Sequence, residues 1–203
     1  CPPYTLISSF SKKFRNCQIG IGGQNCHESA SYGPYTGFVN SHMLKNAGAQ
    51  FVIIGHSENR EKGENNKLIN LKIKSALEAK LKIIFCIGET LTERRNKKTH
   101  SVLSKQIQVG LNGIKNKSNI LIAYEPVWAI GTGIVPKSND LLKTINFIKS
   151  KFKDKTPRVL YGGSVNPQNI VDLKKVNNID GFLIGGASQN AKKFIDIVKK
   201  TYS

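Results

Sequence analysis

Glu125 stands at the end of an apolar run, NILIAY (119–124), and is followed at once by Pro126. A proline holds the residue before it in an extended conformation, so the carboxylate is expected at the tip of a buried strand. A carboxylate partly removed from water there is a better proton acceptor. The next residues, Pro126, Val127, Trp128, Ala129, Ile130, Gly131, Thr132 and Gly133, combine one large apolar anchor with small hinge-compatible residues and backbone N–H groups able to meet an anion. That composition suits a lid over a general base. A helix-start or surface acid is the plainer reading of the same pattern. His56 closes FVIIG and opens HSENR. A lone histidine after a strand is as compatible with a structural role. Here Ser57 and Glu58 begin a polar turn that sets the ring over a helix N-terminus, where the dipole disfavours imidazolium. A neutral ring donates a hydrogen bond and can polarise a carbonyl, with Glu58 as its supporting partner or as an acid at the helix start.

Two further stretches, YGGSVNPQN (161–169) and IGGAS (184–188), put glycines after a strand and before a helix. Bare backbone N–H groups at such turns form an anion site that needs no lysine. Gly-Gly alone marks many tight turns. Two on consecutive strand-helix units are more specific, because phosphate sites in α/β barrels lie after the last two strands. There is no Walker A sequence. GIGGQN departs from the dinucleotide fingerprint, with Asn25 where the last glycine belongs, which argues against NAD and ATP.

The elements that must position these residues alternate. Short apolar runs at 18–23, 50–55, 81–88, 119–124, 158–163 and 180–186 read as strands buried on both faces, hence parallel. Helical patterns fall near 3–14, 41–48, 66–80, 100–113, 139–153, 167–175 and 190–201, with N-caps expected at Ser41, Ser138 or Asn139, Asn166 and Asn190. No linker or composition break interrupts the chain, so one domain over 1–203 is expected. On pattern alone the parallel α/β fold is either a doubly wound sheet or a closed barrel. His56, Glu89, Glu125, Ser164 and Gly185-Gly186 follow strand after strand, and that placement favours a barrel with its site at the strands' C-terminal ends.

The chain has 203 residues and a net charge of +18. The lysines are scattered through helix-like stretches without interleaved aromatics, which argues for solvated helix faces and against nucleic acid. Positive charge also raises encounter rates with anionic metabolites. No apolar run approaches the roughly 20 residues that cross a bilayer, so no membrane association is expected. Cys1, Cys17, Cys26 and Cys86 form no CxxC pair. Cys26-His27 lacks further ligands, so no metal is expected. Free thiols fit a cytoplasmic setting.

Together GHSENR, CIGET, AYEPVWAIGTG, YGGSVNPQN and IGGAS resemble the triosephosphate isomerase family, in order and spacing, over about residues 1 to 201. The pairing of a carboxylate base with a neutral imidazole is that family's established chemistry, not a deduction from these residues. The resemblance implies a TIM (β/α)8 barrel type of fold and a reaction of glycolysis and gluconeogenesis, the interconversion of dihydroxyacetone phosphate and glyceraldehyde 3-phosphate without cofactor or metal. It implies that Glu125 shuttles the proton, His56 polarises the oxygens and Glu58 is a further acid of the site. It also implies that 126–136 close as the lid with the Gly131 N–H on the phosphate, and that Ser164, Gly185 and Gly186 complete the cradle. Family members are typically homodimers through the loop that corresponds to 24–37.

Several departures carry expectations of their own. The family opens with a strand bearing Asn-x-Lys, a helix and a second strand, and relative to its usual ~250 residues about 45 have no counterpart here. The resemblance therefore implies an incomplete barrel of about six parallel strands with severely reduced turnover, the alternative being a non-catalytic phosphate- or anion-binding barrel remnant. Open edges at 18–23 and 180–184 would favour self-association, as a dimer or larger. Phe38 and Asn59 stand where the family has Glu and Arg, which implies a rebuilt dimer contact. Ile134-Val135-Pro136 replaces a Lys-Thr-Ala hinge, and Pro136 would stiffen it.

Overall fold

A computed structural model describes residues 1–153 and 156–202. Its strands, among the described residues, are β1 (Gly22–Gly23), β2 (Phe51–Ile54), β3 (Lys82–Ile87), β4 (Ile120–Tyr124), β5 (Val159–Tyr161) and β6 (Gly181–Phe182). Neighbouring strands within each of the two units below pair in parallel. The helices are α1 (Ile7–Lys13), α2 (Ser41–Asn46), α3 (Ser57–Glu61), α4 (Asn66–Glu78), α5 (Leu91–Arg95), α6 (Thr99–Gly110), α7 (Ser138–Ser150), α8 (Ile170–Leu173) and α9 (Ala191–Tyr202). None of them is long and apolar enough to cross a membrane.

The chain forms two compact units, Cys1–Cys86 with Gln106–Leu121, and Ile87–Lys105 with Ile122–Ser203. In the first, β2 pairs in parallel with β1 (Gly22↔Phe51) and with β3 (Val52↔Ile83). Its core takes Val52, Ile54, Ile83 and Phe85 from the strands and Ile69, Ile73 and Ala76 from α4, all completely buried. The 69, 73, 76 spacing is one stripe of an α-helix, while Lys67, Leu71 and Lys74 of the same helix face water. Asn65 caps α4, accepting from the N–H groups of Lys67 and Leu68 at 3.0 Å each.

In the second unit β5 pairs in parallel with β4 (Ala123↔Leu160) and with β6 (Tyr161↔Phe182). Ile122, Ala123, Val159 and Tyr161 fill its core with Ile145 and Ile148 of α7. Continuous apolar strand sequence follows from burial on both faces, as expected of parallel strands.

Local details differ from the expectations above. The strand expected at 18–23 is only Gly22–Gly23, because residues 18–20 are exposed and pairing begins where Gln50 and Phe51 N–H meet the Ile21 carbonyl (2.7 and 3.2 Å). The cap of α2 is Asn40, accepting from Met43 N–H at 2.8 Å; Ser41 is buried and its Oγ bonds Ser75 instead. Lys137 occupies the cap position of α7 without a side-chain bond. Asn166 accepts from Gln168 and Asn169 N–H but caps a turn ahead of α8, while Asn190 caps α9 through Lys193 N–H as expected.

Candidate active site

Glu125 directly follows β4 and is 2% exposed. Its N–H donates to the Ile87 carbonyl at 2.8 Å, and the carbonyl of Tyr124 accepts from Gly162 N–H at 2.8 Å, so the base of the side chain is fixed by strand hydrogen bonds on both sides. Two glycines make room for it. A methyl group on Gly88 would overlap the Glu125 carbonyl, and one on Gly162 would stand 2.9 Å from Glu125 Cγ. Pro126 then turns the chain out of the strand into a 3-10 turn, Val127–Ala129.

Beneath that turn lies a second buried carboxylate. Glu89, fully buried, accepts from Tyr124 Oη at 3.2 Å and from Trp128 Nε1 at 3.0 Å, and its backbone carbonyl accepts from Val127 N–H at 3.1 Å. Burial first, and then the charge of Glu89, push the Tyr124 hydroxyl well above the usual tyrosine range, so it stays a donor. On the other side Ala129 C=O accepts from both Ser164 N–H (3.1 Å) and Ser164 Oγ (2.6 Å), and Gly133 N–H donates to Ser164 Oγ at 3.1 Å. Gly131 and Gly133 have φ of +69° and +76°, a conformation that side chains resist, and residues 131–134 are exposed. Residues 126–134 are thus tied down at Trp128 and Ala129 and looped outward at 131–134.

His56 belongs to the first unit. It follows β2 through Gly55 and is the N-cap of α3, its Nδ1 accepting from Glu58 N–H at 3.4 Å. A ring that accepts at Nδ1 carries its proton on Nε2, the donor arrangement that polarising a carbonyl requires. The Glu58 carboxylate is 4.0 Å from Nδ1 and 78% exposed. Arg60 holds the turn in place, donating to Gly55 C=O (2.7 Å), Cys86 C=O (2.9 Å) and Asn66 Oδ1 (2.7 Å). Gly185 and Gly186 lie in the second unit after β6, exposed, and open the 3-10 turn Gly186–Gln189. A methyl group on either would meet nothing within 4 Å.

A family model described as "Triosephosphate isomerase" matches residues 1–201. The chain belongs to the triosephosphate isomerase family. It is 43% identical to the triosephosphate isomerase of Thermodesulfovibrio yellowstonii, over 98% of this chain and 83% of that protein. Against the one from Bartonella tribocorum the identity is 45%, over 97% and 80%. The crystal structure of the Bartonella henselae triosephosphate isomerase superposes with a TM-score of 0.92 at 40% identity, covering all of this chain and 86% of that one. The barrel-type α/β fold expected from the motifs is that of these relatives.

Of the residues singled out in the sequence, Ser164 meets Ala129 and Gly133, and Glu125 adjoins the same loop through Pro126. Glu58 and His56 lie side by side on one turn. Sequence reasoning underweighted three residues that build this part of the triosephosphate isomerase fold. Gly88 entered only as part of the CIGET motif and Gly162 only as part of a candidate anion-binding turn, neither as room for Glu125. Arg94, whose guanidinium lies 4.5 Å over the Trp128 ring, sits in a helix that the apolar periodicity did not reveal. The Thr90-x-x-Glu93 capping box, present in the sequence, was the available signal.

Proposed function

We propose that this chain catalyses the isomerisation of dihydroxyacetone phosphate and glyceraldehyde 3-phosphate. Membership of the family supports the reaction class, and the buried carboxylate of Glu125 at the start of the lid is the observation that carries the assignment of the base. In this reading Glu125 removes a proton from the carbon beside the carbonyl and returns it to the neighbouring carbon. His56, with its Nε2–H, donates to the oxygens of the enediolate formed between. Glu58, hydrogen-bonded through its backbone to the same ring, helps keep the proton on Nε2. The lid closes over the substrate, bringing the Gly131 N–H to the phosphate beside Ser164 and the backbone of Gly185 and Gly186. The last two glycines are crowded by nothing in the chain, which supports reserving their space for a ligand. Expelling water under the lid protects the enediolate and strengthens each of these contacts.

The test is a turnover assay with glyceraldehyde 3-phosphate. The wild-type chain is expected to isomerise it at a severely reduced rate, and Glu125→Gln is expected to lower kcat further by roughly 10²- to 10⁴-fold, the usual worth of a general base. The melting temperature should be nearly unchanged. A Glu125→Gln chain as fast as the wild type overturns the assignment. Saturable binding of glycerol 3-phosphate with no turnover in the wild type moves the chain to the anion-binding reading.

We further propose that the chain self-associates, as a dimer or larger, through the loop 24–37 and the adjoining Phe38. Tyr32 and Phe38 are 69% and 62% exposed there, and the buried His27 ring packs against Tyr35 and Phe38, which supports a preformed apolar surface. Sedimentation at micromolar concentration should give a dimer or larger species, and a strict monomer refutes it. The free thiols of Cys1, Cys17, Cys26 and Cys86 support a cytoplasmic setting.

A further inference from the structure

Arg94 touches groups on both sides of the lid sequence. Its guanidinium carbon lies 4.5 Å from the centre of the Trp128 ring, near the lid's start. Its Nη1 is 3.5 Å from Glu89 Oε1, the same oxygen that accepts the Trp128 indole N–H. Its Nη2 is 3.6 Å from Asp140 Oδ2, in the first turn of α7, just past the lid's end. Trp128, Glu89 and Arg94 therefore close a ring of three mutual contacts, and Asp140 extends it to the far side. The side chain is 28% exposed, against none for Glu89, so a cation faces a carboxylate that water does not reach.

We infer that Arg94 is a positioning residue for the lid, setting where the Trp128 anchor rests and coupling it to the start of α7. The inference rests on reading 126–136 as a lid. Only a planar guanidinium can stack on an indole and direct separate N–H groups to two carboxylates. Lysine would supply the charge that Glu89 needs but not the stacking or the fork. A residue that merely neutralised Glu89 would tolerate that exchange, and a residue that positions the indole does not.

Trp128 is the chain's one tryptophan, so its emission reports this contact without background. The full chain is titrated with glycerol 3-phosphate, a phosphate ester without the reactive carbonyl, and Trp128 emission is followed in the wild type, Arg94→Lys and Asp140→Asn. The wild type is expected to show a saturable change. In Arg94→Lys the unliganded emission moves to longer wavelength. The half-saturating concentration rises about three- to tenfold, the effect expected of one partly exposed cation–π contact with its ion pairs. Circular dichroism should show the same secondary structure. Asp140→Asn shifts the half-saturation in the same direction by less. Arg94→Lys matching the wild type in emission and half-saturation overturns the inference and leaves the lid reading intact. No emission response in the wild type sinks the lid reading, and this inference with it. If Arg94→Lys does not fold, Asp140→Asn decides alone, and an unshifted half-saturation there overturns the inference.

Discussion

The side chain of Glu125 is shaped by what its neighbours lack. Gly162 offers Cγ a space that a methyl group would close to 2.9 Å, and Gly88 does the same for the backbone carbonyl. Gly162→Ala is therefore expected to displace the carboxylate more than it unfolds the chain. Turnover should fall by an order of magnitude or more, with a stability loss of about 1–3 kcal/mol in urea denaturation, the usual cost of overpacking. In Gly88→Ala the clash is with backbone, which cannot rotate away, and the loss should lie at the upper end of that range or beyond. Cysteine chemistry offers an independent check of burial. Burial pushes the Cys26 thiol up to about 12. Iodoacetamide at neutral pH is expected to alkylate the exposed Cys1 and Cys17 and to spare the buried Cys26 and Cys86, as peptide mass spectrometry would show.

Among the elements, the loop after β4 and the short α5 meet through Trp128 and Arg94. α5 is five residues long, too short to be stable by itself, and it is held by the reciprocal Thr90–Glu93 capping box at 2.8 and 3.3 Å. Thr90→Ala is expected to cost about 1 kcal/mol and to loosen Arg94 against Trp128, readable as a red shift in emission. At the other end of that loop Pro136 is buried between an exposed stretch and α7. Pro136→Ala should release that hinge, seen as faster amide exchange over residues 130–135 with the β4 amides unchanged. Element type was legible wherever the pattern was long. Alternation of apolar runs with amphipathic stretches located all six strands, because parallel strands buried on both faces need continuous apolar sequence. The short α5 was not legible from periodicity, since one turn cannot show a 3.6-residue repeat. Cap positions slipped where two polar residues compete, as Asn40 and Ser41 do. Only packing decides which one faces the helix end and which one reaches Ser75.

At the scale of the whole molecule, the buried tyrosines and Cys26 set an alkaline limit. Burial raises Cys26 to about 12 from 9.0, and it raises Tyr124 and Tyr161 well above the tyrosine range. Each raised group keeps its proton in the folded chain at a pH where the unfolded chain has released it. The stability they contribute is present below about pH 9 and declines as pH rises through 10 to 12. The melting temperature should fall over that window, and Tyr161→Phe should make the fall shallower.

Sequence alone determined the order of strands and helices and the family, and it singled out Glu125, His56, Ser164 and the glycine turns as candidates. Those features are written in local periodicity and in motifs whose residue types have few other uses together. Tertiary structure alone decided that Glu89 and Arg94 gather around Trp128 and that Gly88 and Gly162 frame Glu125. Contacts between residues 34 to 39 positions apart carry no local signature. A buried carboxylate finds its donors, and a close approach finds its glycine, only after the strands have paired.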